Sequence, residues 1–134
     1  MKVIDASALA MFINKEPAWE KVERILIDDL CIAPPLIIDE VLNTIWKRAY
    51  RKLINAADAK KLAEAFIQNV PVRVITLSTA VWKKAFDIAT RKSITIYDAE
   101  YIALADWMKI PLVTADKKQG KAAREESVTV IMIA

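Results

Sequence analysis

The chain contains no histidine. That removes the commonest general base, the serine-type triads and most zinc sites. Any catalysis must rest on carboxylates, lysine, tyrosine or a metal held by oxygen. Glycine occurs once, at Gly120, so neither common Gly-rich phosphate loop can be built. Cysteine also occurs once, at Cys31, which excludes an internal disulfide. Lying in the apolar stretch 30–33, Cys31 reads as a small buried hydrophobe. Although 55% of the residues are hydrophobic, no run approaches the length of a membrane span. No signal-peptide pattern opens the chain, because Lys2 leads straight into Val3, Ile4 and Asp5. The expected compartment is therefore the cytoplasm.

What is present points to one domain spanning residues 1–134, long enough to bury a real core. Twenty basic residues against 17 acidic ones give a net charge of +3. That balance suits a polyanionic partner without establishing one. Short apolar runs read as strands at 2–4, 30–33, 72–76, 111–114 and 128–133. Between them lie helical patterns at 8–13, 36–51, 56–70, 79–90, 95–109 and 117–125, and another that opens near Pro17. Ser7, Ser78 and Thr95 are placed to cap three of these helices, and Pro17 suits a first turn. The helix after Pro17 carries an apolar stripe of Trp19, Val22, Ile25 and Leu26. Val41, Leu42, Ile45, Trp46 and Ala49 form the expected buried face of the helix at 36–51. Leu62, Ala63, Phe66 and Ile67 turn inward on the next helix, and Val81, Trp82, Ala85 and Phe86 on the one after. The helix at 95–109 is apolar on nearly every side and should be buried. Strands alternating with helices predict a three-layer α/β/α fold around a mainly parallel sheet of four to five strands.

In such a sheet ligands bind outside the carboxyl ends of the strands. Asp5 ends the first strand and Asp116 follows a later one. Asp98 and Glu40 each lie near the start of a helix that can point back to that edge. Four carboxylates meeting there repel one another unless a hard cation neutralises them, and oxygen-only ligands suit Mg²⁺ or Mn²⁺. Each residue also has an ordinary explanation. Asp5 and Asp116 can be turn residues, Asp98 a helix-capping carboxylate, and Glu40 a solvated helix residue. Glu40, Asn43, Thr44, Lys47 and Arg51 recur at spacings of three and four, so they share one polar stripe. Asp39 adjoins Glu40 and leaves a one-residue ambiguity, for which the stripe favours Glu40.

The stretches VIDASAL (3–9), IIDEVLNTIWK (37–47), IYDAEYIALA (96–105) and LVTAD (112–116) resemble, in family order, the PIN-domain nucleases. Among these the resemblance is to the VapC-like toxins of prokaryotic toxin–antitoxin pairs. It implies a PIN-like fold and a metal-dependent endoribonuclease. Asp5, Glu40, Asp98 and Asp116 match the acidic metal-binding positions of the family, which hold one or two ions of Mg²⁺ or Mn²⁺. Ser7, Asn43 and Thr114 match the polar positions that flank those acids. Some members carry a further acid after the last Asp, where this chain has Lys117 and Lys118. The implied partners are RNA, a cognate antitoxin that blocks the acidic site, and a second copy of the chain. Lys47 and Arg51 on the Glu40 stripe, and Lys117, Lys118, Lys121 and Arg124 beyond Asp116, are candidates for RNA phosphates. The face of Trp19, Val22 and Leu26 is a candidate antitoxin dock.

Two other Mg²⁺-using classes fit less well. A receiver-type domain needs a second acid beside Asp5, and a haloacid-dehalogenase-like phosphatase needs Asp where Ser7 stands. A catalytically silent RNA- or protein-binding module of the same fold is the alternative.

Overall fold

The computed structural model describes residues 1–133. Its elements run β1 (Lys2–Ile4), α1 (Ala6–Ile13), α2 (Trp19–Asp28), β2 (Cys31–Ala33), α3 (Leu36–Tyr50), α4 (Ala56–Gln68) and β3 (Arg73–Val74). They continue through α5 (Thr79–Lys92), α6 (Ile96–Met108), β4 (Leu112–Thr114), α7 (Lys117–Glu125) and β5 (Val130–Met132). The five strands form one sheet in the order β3-β2-β1-β4-β5, and every neighbouring pair is parallel. Val3 at the centre pairs with Ile32 on one side and Leu112 on the other.

Parallel neighbours need crossover helices, and crossovers are right-handed. Moving outward from β1 through β2 to β3 puts α1–α4 on one face. Crossing back to β4 and on to β5 puts α5–α7 on the other. The packing agrees, with α1 against α2 and α3, and α6 against α5 and α7. The chain thus reverses its winding between β1 and β4, the point at which open α/β sheets bind ligands.

The core is one cluster built on the buried strands β1, β2 and β4 and the inward faces of the helices. In α6, Ala99 and Tyr101–Ala105 are all buried, as its apolar sequence requires. Cys31 is buried and unpaired. None of the helices described is long and apolar enough to cross a membrane.

Several local expectations change. Asp5 rather than Ser7 caps α1, since its carboxylate accepts the Ala8 N–H at 3.0 Å. Pro17 does not enter α2, which starts after Ala18 in a left-handed conformation at φ 75°. Val22 is fully buried and Trp19 packs against Phe12, with the Lys15 ammonium over both rings. Val22 is therefore core, while Trp19, Ile25 and Leu26 are half-buried. Trp46, Ile67, Trp82 and Phe86, expected inside, are exposed, as is Trp107 at the end of α6. They sit at the edges of their apolar stripes, where helical spacing alone assigns the side poorly. Val41, Ile45, Val81, Ala85 and Ile88 fill the core instead. The strands at 72–76 and 128–133 shorten to Arg73–Val74 and Val130–Met132.

Candidate active site

The reversal point carries the acids. Asp5 leaves β1 one residue beyond its last pair, and its own N–H donates to the Val113 carbonyl of β4 at 3.0 Å. This backbone bond turns the side chain into the gap between the two strands. There the carboxylate is 4% exposed. Ser7 Oγ donates to its Oδ1 at 2.6 Å, and Thr114 Oγ1 donates to its Oδ2. With the Ala8 N–H, three donors fix one carboxylate without any cation.

Thr114 and Ser7 serve as connectors. Thr114 Oγ1 accepts the Asp116 N–H at 3.0 Å, and Ser7 Oγ accepts the Ala115 N–H at 2.9 Å. The turn after β4 is thereby tied to the Asp5 cluster. Asp116 then caps α7, its Oδ1 accepting from the N–H groups of Lys118 and Gln119 at 2.8 and 3.2 Å. Gly120 lets α7 lie close to the sheet, because a Cβ there would stand 3.0 Å from the Met132 sulfur.

On the other side of the gap, Thr95 rather than Asp98 caps α6. Its hydroxyl accepts the Asp98 N–H at 3.2 Å. Glu40 projects from the second turn of α3, and the buried Tyr101 phenol of α6 donates to its Oε1 at 2.6 Å.

All four acids line one depression of about 250 Å³ together with Ser7, Asn43, Thr44, Lys47 and Tyr101. Asp39 is turned out of it, so the register falls on Glu40. Thr114 stands beneath it, bonded to Asp5. Arg51 caps the far end of α3, outside the lining. Lys118 and Lys121 line a neighbouring cleft with Asp98 and Asp116, which Lys117 and Arg124 do not.

The acids feel one another. Burial pushes the Asp5 carboxyl from 3.8 to about 6, its three donors pull it back, and Asp116 adds to the rise. Burial raises Glu40, the Tyr101 bond opposes, and Asp98 and Asp5 raise it further. Burial raises Asp98, and Asp116 raises it more. Burial and the Glu40 charge hold the Tyr101 phenol above its usual range, so it stays a neutral donor.

The donor set is oxygen throughout, which suits a hard divalent cation. Among the described residues no three carboxylates stand close enough to enclose an ion. Mg²⁺ keeps several waters and takes one or two carboxylates directly, so it does not need such an enclosure. The fit to such an ion rests on the oxygen donor set.

Two residues of this region had no signal in the sequence. Tyr101 looked like one more apolar residue of α6. Gln119, 4% exposed in α7, donates Nε2 to the Asp98 carbonyl at 2.9 Å and so braces α6 against α7. Only the packing of those helices reveals either role.

Comparison with known proteins follows the same lines. The PIN domain family matches residues 2–125. Ribonuclease VapC3 of Pyrobaculum aerophilum is 32% identical over 87% of this chain and 89% of its own. Ribonuclease VapC12 of Mycobacterium tuberculosis is 31% identical over 91% and 92%. A toxin–antitoxin complex from Klebsiella pneumoniae contains a chain that superposes with a TM-score of 0.70 at 12% identity, covering 100% of this chain and 98% of that one. By its family match over residues 2–125 and by these relatives, the chain belongs to the PIN-domain family, on its VapC-like branch.

Proposed function

We propose that the protein is a metal-dependent endoribonuclease, the toxin of a toxin–antitoxin pair. The observation that carries the reading is the convergence of Asp5, Glu40, Asp98 and Asp116 on one depression at the reversal point of the sheet. The names of its relatives, Ribonuclease VapC3 and VapC12, support RNA as the substrate.

Asp5, Glu40, Asp98 and Asp116 would hold one or two ions of Mg²⁺ or Mn²⁺. Such an ion supplies positive charge against the phosphate oxygens and acidifies water at neutral pH, which a chain without histidine cannot do alone. Asp5 is fixed before any ligand arrives, because Ser7, Thr114 and Ala8 already satisfy it. Tyr101 fixes Glu40 in the same way. Asp98 and Asp116 are less enclosed, and Asp116 caps α7 through Oδ1 alone, which leaves Oδ2 for an ion. Lys47 at the rim offers a charge to a backbone phosphate, and Arg51, farther along α3, offers a second to the same strand. The reading places the protein in the cytoplasm, where RNA is available.

An antitoxin and a second copy are the proposed protein partners. Exposed apolar side chains on α3 (Trp46, Tyr50) and α5 (Trp82, Phe86) support such contacts. Trp46 and Tyr50 stack with ring centroids 5.1 Å apart, which makes a preformed aromatic surface.

The test is incubation of the protein with labelled RNA in Mg²⁺ or Mn²⁺, with and without EDTA. Cleavage should need the metal and fall by at least about a hundred-fold in Asp98→Asn, with native far-UV CD. The product of the neighbouring reading frame, added in excess, should silence it. Full activity in EDTA, or in Asp98→Asn, would sink the mechanism.

A further inference from the structure

The acidic depression has two neighbours. On one side a groove of about 450 Å³ shares Glu40 and Asn43 with it and is completed by Leu36, Asp39 and Tyr97. On the other a cleft of about 550 Å³ shares Asp98 and Asp116 and carries Lys118 and Lys121. Through these shared residues the three spaces adjoin in a track at the carboxyl edge of the sheet.

Tyr97 lies in the first turn of α6, immediately before Asp98, and is 58% exposed. Phe12–Trp19 and Trp46–Tyr50 are the aromatic pairs among the described residues, so the Tyr97 ring has an unstacked face. The other end of the track carries cations beside its acids: Lys92, Lys118 and Lys121 stand with Asp98, Asp116 and Glu125. Lys92, also in the cleft, is held by Glu125 and Glu126. Lys118 and Lys121 enter no ion pair among the described residues.

We propose that a base of single-stranded RNA stacks on Tyr97 in the groove, while a phosphate on the other side of the scissile bond binds Lys118 and Lys121 in the cleft. This rests on the RNA-cleaving reading above. Charge assigns the two ends. Asp39 and Glu40 in the groove repel a phosphate but not a neutral base, whereas the unpaired lysines draw a phosphate. Every base has a π-face, so stacking holds a strand in place without fixing its sequence. The track favours single strands, because a duplex keeps its bases stacked inside. Tyr97 is thus a substrate-positioning residue one step from a candidate metal-binding acid.

The experiment measures fluorescence anisotropy of a labelled short oligoadenylate in Mg²⁺, in an Asp98→Asn background that prevents cleavage. Tyr97→Ala should weaken binding about ten-fold without changing its salt slope, and Tyr97→Trp should preserve it. On oligomers carrying one abasic position, the Tyr97→Ala penalty should vanish at a single location along the strand. Lys118→Ala with Lys121→Ala should flatten the salt slope by about 0.7 for each lost phosphate contact. All these side chains are exposed, so melting temperatures should match the parent. If the parent binds RNA and Tyr97→Ala binds equally well, the inference is overturned and the nuclease reading stands. If Tyr97→Ala weakens only binding of the antitoxin, the groove belongs to a protein partner and the inference is also overturned. If the parent binds no RNA and the wild type cleaves none, the nuclease reading itself falls.

Discussion

Asp5 is the residue on which the site depends most. A buried carboxylate with three donors can be held charged or protonated, and burial decides for a high value, about 6 against 3.8. The folded chain therefore binds this proton more tightly than the unfolded chain does. The stability gained is complete below about 3.8 and is lost as pH rises through about 6. Glu40 and Asp98 are raised as well and act in the same direction. Asp29, Asp106 and Glu126, held low by Lys2, Lys84 and Arg91, lose their contributions only at more acid pH. In EDTA the protein should thus gain about 1 kcal/mol between about pH 7 and pH 5 from Asp5 alone. Thermal melts across that range check it, and Asp5→Asn should flatten the rise. A stability that falls over the interval would mean that Asp5 is not buried as described. At this scale the acids were legible, because a strand ending in Asp is visible in the letters VIDASAL. Of their supports, Ser7 and Thr114 were legible only through the family resemblance, and only the fold puts Thr114, 107 residues away, within 3.2 Å of the Ser7 hydroxyl.

Among the elements, α7 shows why a chain poor in glycine keeps one. The helix runs over β4 and β5, and Gly120 faces Met132, Val130 and Thr114. An added Cβ meets the flexible end of Met132, which can yield. Alanine would also gain helix propensity of about 1 kcal/mol. Gly120→Ala should therefore be near neutral, and Gly120→Leu should cost about 1–3 kcal/mol by forcing α7 from the sheet. Urea unfolding measures both, and equal stability for Leu and Gly would show that α7 does not press on β5. Since Asp116 caps α7, the leucine variant should also bind metal less tightly. Helix and strand order was legible from periodicity, and so were the caps Ser78 and Thr95. The inward side of α3 and α5 was only half legible. Trp82 and Phe86 share a stripe with Val81 and Ala85, and only the placement of α6 against α5 decides which of them is covered.

The whole molecule turns on the order β3-β2-β1-β4-β5. A parallel sheet followed from the alternation of strands and helices, but strand order did not, because no local pattern encodes which strand is central. Putting β1 beside β4 is what brings Asp5 to Asp116, and the crossing of α3 and α6 over that edge adds Glu40 and Asp98. The central claim is that these four acids act as one charge-loaded site. Like charges about 5 Å apart at an effective dielectric near 20 repel by roughly 3 kcal/mol before relaxation, and protonation and side-chain movement relieve much of that. Asp98→Asn removes one charge and keeps the Asp98 N–H bond to Thr95, so the cap of α6 survives. Four thermal melts decide the matter: wild type and Asp98→Asn, each in EDTA and in saturating Mg²⁺. The account predicts that the variant is the more stable in EDTA, by about 1 kcal/mol. It also predicts that Mg²⁺ stabilises the wild type much more than the variant, closing or reversing the gap. A variant less stable than wild type in EDTA, with the same response to Mg²⁺, would show that the carboxylates do not form one site.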